Sequence, residues 1–359
     1  TEYAVEMGKT GQPFAGGVNT KTWAENFPIA QTIQVSSGSG TLNITQGGSA
    51  SGYVLYTGPA TIDVANSADY AVNITAPYVI VRGLTIKGAK KHAVNIAGNV
   101  SDVVIENNDI SEWGGWSGQT SVDGWKVATE GDSGIAVNCY STPGSFKRAV
   151  IQRNKIHHPR YGASSWSGIQ GTSDKHPRGS NAVWFNDCGG NHVLRYNETW
   201  RDWGKYFNDI FGGFANHSQN GMPSNDSDIY GNILQHAWDD AIESEGGNMN
   251  VRIWGNYINQ TTTGIATTST TKGPVYIFRN VWNRSRHFSA AASVDADDRL
   301  YFFKSGSTSA GHGRRYVFHN TMLQAQIAGC TMGGGGGQGL SAPGGGQNLS
   351  NNVTRKNNF

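Results

Sequence analysis

Short apolar strands ending in asparagine recur along the chain: IENN to Asn108, IQRN to Asn154, LRYN to Asn197, IYGN to Asn232, IWGN to Asn256, IFRN to Asn280 and VFHN to Asn320. The intervals are 46, 43, 35, 24, 24 and 40 residues. The shortest occurs twice in succession, so 24 residues is the bare unit and the excess elsewhere is inserted loop. A weaker copy, VIVRG at residues 79–83, precedes the series. Each unit carries a second apolar strand: SGIAVN at Ser133–Asn138, NAVWFN at Asn181–Asn186, DAIESE at 240–245 and TGIATT at 263–268. An asparagine at one place in every copy predicts an amide ladder, each side chain bonding to the next, as in stacked parallel strands.

Strands at this period, with no helical stretch of ten or more residues between them, exclude a doubly wound α/β fold. A unit of 24 residues is too short for a propeller blade of about 40–45. The pattern predicts a solenoid of parallel strands. With its asparagine ladder, the region 71–321 resembles the pectin-lyase-like superfamily of right-handed parallel β-helices. The resemblance implies an all-β, single-domain fold with loop insertions walling a groove. The superfamily contains polysaccharide lyases, glycoside hydrolases, epimerases and proteins that only bind glycans, so the resemblance does not choose a reaction. Residues 1–70 read as the lead-in and cap of the helix, because GQPFAGGVNTKTW resembles the opening of a secreted β-helix chain. Residues 322–359, which include MGGGGGQGLSAPGGGQ, read as a Gly-rich tail packing on or extending the helix.

Composition narrows the class. Only 15% of the 359 residues are charged, against roughly 25% in an average protein, which leaves too few for long amphipathic helices. Eleven Trp, 14 Tyr and 13 Phe exclude disorder. No apolar run reaches about 18 residues, so no membrane partner is expected. A formal charge of +2 does not suit nucleic acid. The start at Thr1 reads as a secreted chain freed of its signal, or as a trimmed one. Cys139, Cys188 and Cys330 lack metal-ligand spacing; Cys139 and Cys188 are either bridged or two buried thiols.

The insertions place the groove. Residues 111–132 and 161–180 both enter just before the second strand, and 212–226 follow it in the next unit. Loops on both sides of one strand stack wall a strip, and function concentrates on such loops. They carry Trp113, Trp116, Trp125, Trp166, His176 and Arg178. Indoles present flat apolar faces with a polar edge, suited to sugar rings or to plugging the loops' own small cores.

One second strand breaks the apolar pattern, in WDDAIESEGGN at 238–248. Aligning Ile242 with Ile135, Val183 and Ile265 turns Ile242 inward and Asp239, Glu243 and Glu245 outward, with Asp240 at the turn or inward. Ala136, Trp184 and Ala266 stand where Glu243 does, so the acids belong to this rung alone. In the neighbouring KYFNDIFGG, either Asn208 or Phe211 falls beside Glu243, and an inward Ile210 turns Asp209 to the groove. Crowded carboxylates repel, and a raised pKa on one of them follows unless a cation or partner relieves it. Glu243 and Glu245 are expected about 7 Å apart, nearer the inverting than the retaining glycosidase geometry.

Three roles fit the acids: general acid/base catalysis, calcium binding, or structural pairing with Lys205, Arg252 or His236. The expectation is a secreted, monomeric glycoside hydrolase that cleaves an anionic polysaccharide, sulfated ones included, and requires no cofactor. Glu243 and Glu245 form its acid/base pair, with Asp239 or Asp209 as alternative members. Lys205, Arg201, His236, Arg178, His176 and Asn186 contact substrate, and Trp184, Trp116 and Trp166 stack on it. A uronate lyase, calcium-assisted, is the alternative, with its base among Arg201, Lys205, Tyr206, His236, His157 and His158. A glycan-binding solenoid without catalysis is the third reading.

Overall fold

The computed structural model describes residues 27–202, 205–214, 216–268, 270–284, 301–304, 313–324 and 353–358. Its strands pair in parallel from rung to rung, apart from a small antiparallel hairpin, Trp116–Thr120 with Lys126–Ala128. The protein is a right-handed parallel β-helix. Among the described residues there is no helix, and hence none long and apolar enough to cross a membrane.

Alternation decides which side chains fill the interior. The column Val81, Ile105, Ile151, Leu194, Ile229, Ile253, Ile277, Val317 runs up one wall of the core. β-branched residues dominate it because they suit a pleated, half-buried surface. The asparagine that ends each strand faces inward as well. Asn108, Asn154, Asn197, Asn232, Asn256, Asn280 and Asn320 each donate their side-chain amide to the next asparagine's Oδ1, at 2.9–3.1 Å. The ladder ends on Asn358. Each amide also donates to a backbone carbonyl of an adjoining rung, which satisfies both of its hydrogens in the core.

The residue before each ladder asparagine has a left-handed backbone, φ 49–64°: Asn107, Arg153, Tyr196, Gly231, Gly255, Arg279, His319 and Asn357. A side chain at that φ is strained, and the ladder supplies the bonds that hold the turn. The bare units use glycine there, as IYGN and IWGN.

Strands Ile29–Gln34 and Leu42–Ile44 already pair with later rungs, so the parallel stack reaches into the segment read as a lead-in. Strand Val353–Lys356 pairs with Arg315–Phe318 and extends the stack at the other end. The Gly-rich run 332–347 lies outside the described residues. Cys139 and Cys188 are bridged, with Cα atoms 5.1 Å apart, which resolves the choice left open by their spacing.

Candidate active site

The second strands stack in the register their apolar pattern gives. Leu42, Val72, Val94, Ile135, Val183, Phe211, Ile242, Ile265 and Phe303 align along the inside. The next position faces out: Asn43, Asn73, Asn95, Ala136, Trp184, Gly212, Glu243, Ala266 and Lys304. Phe211 thus lies beside Ile242 and Gly212 beside Glu243, which corrects the expectation of Asn208 or Phe211 there. Glycine at 212 leaves room for Glu243, since a Cβ there would come within 3.0 Å of its Oε2. Glu243 is held from the same side: Gly213 N–H donates to Oε2 (3.1 Å) and Asn216 Nδ2 to Oε1 (2.9 Å).

Simple alternation sends Asp239 and Asp240 to opposite faces, and the structure does not. Ala237 pairs with Thr261 but Asp240 with Thr263, so one extra residue is bulged into this strand. A bulge re-aims side chains. Oxygens of Asp209, Asp239 and Asp240 all come within 4.8 Å of one another, and all three residues are buried. Asp209 Oδ1 accepts the Asp240 N–H (3.0 Å), and its Oδ2 accepts Asn208 Nδ2 (3.1 Å).

Lys304 reaches into the cluster from two rungs away. Its Nζ lies 2.8 Å from Asp240 Oδ2, 3.8 Å from Glu245 Oε1 and 4.0 Å from Asp239 Oδ1. Glu245 also accepts the Thr268 N–H (3.2 Å). Among the described residues, Lys304 and, at Asp239, His176 are the basic partners of these acids, and Lys205, Arg252 and His236 are not. Arg252 is the buried partner of Asp228.

Among the described residues, one ammonium and the His176 imidazole face five carboxylates, which leaves an excess of negative charge in a buried place. Burial first, then Glu243, Asp239 and Asp240, raise Asp209 well above the usual carboxylate range. Burial, Glu245 and Asp240 do the same to Glu243. Burial and Asp240 push Asp239 up to about 7, against the pull of Lys304 and His176. For Lys304 burial opposes the charge, and Asp240, Asp239 and Glu245 outweigh it, so the amine is held well above its ordinary pKa.

The residues fit a hard cation on two further counts. Every donor is an oxygen, and Asp240 Oδ1 and Asn208 Oδ1 are buried without a hydrogen-bond partner.

The loops build one wall. Residues 111–132 and 161–180 are joined by backbone contacts of Ser121 with Ile169 and Val127 with Gly162. Trp113 packs on Phe207 inside the core, and Trp125 stacks on Trp238 with its Nε1 donating to Ala163 O (2.8 Å); these two indoles are wall core. His176 leans over the acids, Nε2 3.2 Å from Asp239 Oδ2, its ring edge-on to Trp166 at 5.1 Å. Trp184 meets the exposed ring of Phe214 edge-on at 5.3 Å.

Most of the other expected substrate contacts are engaged with neighbours outside the acid cluster. Arg178 is forked onto Glu130 (2.9 Å) and paired with Asp174 (3.0 Å). Arg201 is buried, with Nη1 3.4 Å from Asp202, and its N–H donates to His236 Nδ1 (2.9 Å). His236 stacks on Tyr206, and burial lowers its pKa. Asn186 donates to Asn138 on the preceding rung (3.3 Å). Trp116 lies on its own hairpin under Lys126 Nζ, 4.6 Å from the ring centre. Lys205 is exposed. His157 and His158 face Asp109 and Asp202, at 3.1 and 3.2 Å. Lys304 and Asn216 were missed by sequence reasoning. The signal for Lys304 was YFFK, whose Phe303 aligned with Ile265 puts the lysine in the Glu243 column.

No protein-family model matches the sequence, and no curated protein matches it. Among solved structures, an alginate lyase from Paenibacillus sp. str. FPU-7 superposes with a TM-score of 0.53 at 11% identity, covering 85% of this chain and 92% of that one. Pectate lyase Pel9A gives 0.49 at 13% identity, covering 94% and 73%. DFA-IIIase from Arthrobacter chlorophenolicus A6, in complex with GF2, gives 0.48 at 10%, covering 89% of this chain and 64% of the longer enzyme. The likeness to the alginate lyase structure is one of fold, a right-handed parallel β-helix.

Proposed function

We propose that the protein is a polysaccharide lyase that cleaves a uronate-containing glycan by β-elimination, with Lys304 as the base. The observation that carries this reading is the amine of Lys304 set among Asp239, Asp240 and Glu245, beside an all-oxygen cluster with an unpaired Asp240 Oδ1. β-Elimination needs a base for the proton next to the uronate carboxylate and a positive charge to stabilise the carbanion-like transition state. Asp209, Asp239 and Asp240 would hold a divalent cation such as calcium, and that charge would neutralise the uronate carboxylate and the acids alike. The acids are what raise Lys304, so with their charge satisfied the opposing effect of burial remains and favours the neutral amine. Lys304 then accepts the proton, the C–H electrons form the ring double bond, and the bond to the leaving oxygen breaks. Glu243, whose carboxyl burial and the neighbouring Glu245 and Asp240 raise above the usual carboxylate range, stands on the same face as the donor for that oxygen.

A hydrolase is the second reading, favoured by the raised Glu243 with Glu245 close enough to add to the shift. Digests of alginate and pectate separate the two. Near-ultraviolet absorbance from the new conjugated double bond supports elimination; reducing ends without that absorbance support hydrolysis. Binding without cleavage supports a glycan-binding solenoid.

A further inference from the structure

Among the described residues, flat rings continue the strip on the N-terminal side of Glu243. Trp184 stands in the Glu243 column with Gly212 between them, two rungs away, about 9.6 Å at the usual strand spacing. That is the length of a short oligosaccharide. Phe214 lies edge-on to Trp184, and its own ring is 50% exposed, unusual for phenylalanine. It leans on the backbone of the opposite wall at Gly131, where a Cβ would sit 3.4 Å from the ring and the φ of +82° disfavours one. His92 stacks near Trp184 (6.5 Å), and Tyr70 stacks on His92 (5.7 Å). His92 is neutral at ordinary pH, because burial lowers it to about 4, and its Nδ1 accepts the Ser133 N–H (3.1 Å).

The row Tyr70, His92, Trp184, Phe214 therefore climbs from the acids toward the N-terminal rungs. Toward the C-terminal rungs the described residues of the same column are Ala266 and Lys304, neither of them a ring. Phe214, His92 and Tyr70 stay partly open beside the strip while Trp184 is buried behind Phe214, and open flat rings suit the apolar faces of sugars.

We propose that Phe214, backed by Trp184, is a sugar-stacking subsite, and that the longer arm of the bound glycan lies over the ring row, on the N-terminal side of Glu243. The proposal rests on the glycan-cleaving reading and adds the direction of the chain and the residue that senses its length. The ring of Phe214 is on the surface, so its removal spares the core. Phe214→Ala lowers the preference for long over short oligosaccharides about tenfold, and Phe214→Trp restores it.

The test uses trimers to octamers of galacturonate and of the alginate uronates. The ratio of kcat/KM for octamer to trimer is compared between wild type, Phe214→Ala and Phe214→Trp, and binding of the same oligomers to Lys304→Ala is measured by calorimetry with and without the Phe214 change. A fall in that ratio, restored by Trp, supports the subsite. Cleavage with an unchanged ratio overturns the subsite and leaves the lyase reading intact. Phe214-dependent binding without cleavage by the wild type supports the subsite and overturns the lyase reading. Neither binding nor cleavage overturns both.

Discussion

Lys304 and Asp239 show how one residue sets the charge of another when both are buried. Removing Lys304 deprives Asp240 of its 2.8 Å partner and leaves the cluster without its central positive charge. Lys304→Gln is expected to lower turnover by about 10²–10⁴-fold, the usual contribution of a positioned base, measured by initial rates. A drop below tenfold would assign the base elsewhere. The raised acids make a second prediction. Asp239 is held at about 7 in the folded protein, against roughly 3.9 unfolded. The folded state therefore keeps the proton longer, and this residue's contribution to stability falls as pH rises from about 4 to about 7. Buried His92 and His192, held at about 4 and about 3, work in the opposite sense. The clean measurement is a difference: Asp239→Asn should gain stability relative to wild type as the pH is raised from about 5 to about 7.5, read by thermal melting. A stability difference, variant minus wild type, that falls as the pH rises contradicts the shift.

At the scale of the strand, the sequence carried register well and aim poorly. Ile242 aligns with Ile135, Val183 and Ile265 because a slip by one residue would bury every polar side chain of the face. The same periodicity could not show the extra residue between Ala237 and Asp240. A bulge is a local exception to alternation, fixed by the neighbouring rung at Phe207 and Asn208. For that reason Asp240 was expected away from the acids it joins. The basic candidates fared differently: Arg178 and Arg201 are met by Glu130, Asp174 and Asp202, distant in sequence or hidden in loop geometry. The amide ladder was legible because it repeats, and it yields a prediction of its own. Asn232→Ala removes two donors that satisfy core oxygens at Asn256 and Leu194. It should cost about 1–3 kcal/mol or more, seen as a lower denaturant midpoint. Asn73→Ala, on the outer face, should cost less, since its bonds, a donation to Asn43 at 3.4 Å and an acceptance from Asn95 at 2.8 Å, lie where water can replace them.

Over the whole molecule, the β-helix turns a sequence interval into a distance along one axis. Residues 64 apart, Asp240 and Lys304, meet because each rung adds one strand spacing whatever loop it carries. Rigid stacking also explains how so many acids stay crowded: the ladder and core column hold the backbone, so repulsion among the acids is not relieved by bending the strand. The central claim is that this crowding serves β-elimination at Lys304. Its most direct measurement is the near-ultraviolet absorbance of alginate and pectate digests, run with calcium and with EDTA, for wild type and Lys304→Gln. The account predicts a rising signal for wild type with calcium, little with EDTA, and little for Lys304→Gln under either condition. Reducing ends released without that signal, or a Lys304→Gln variant as active as wild type, would contradict it.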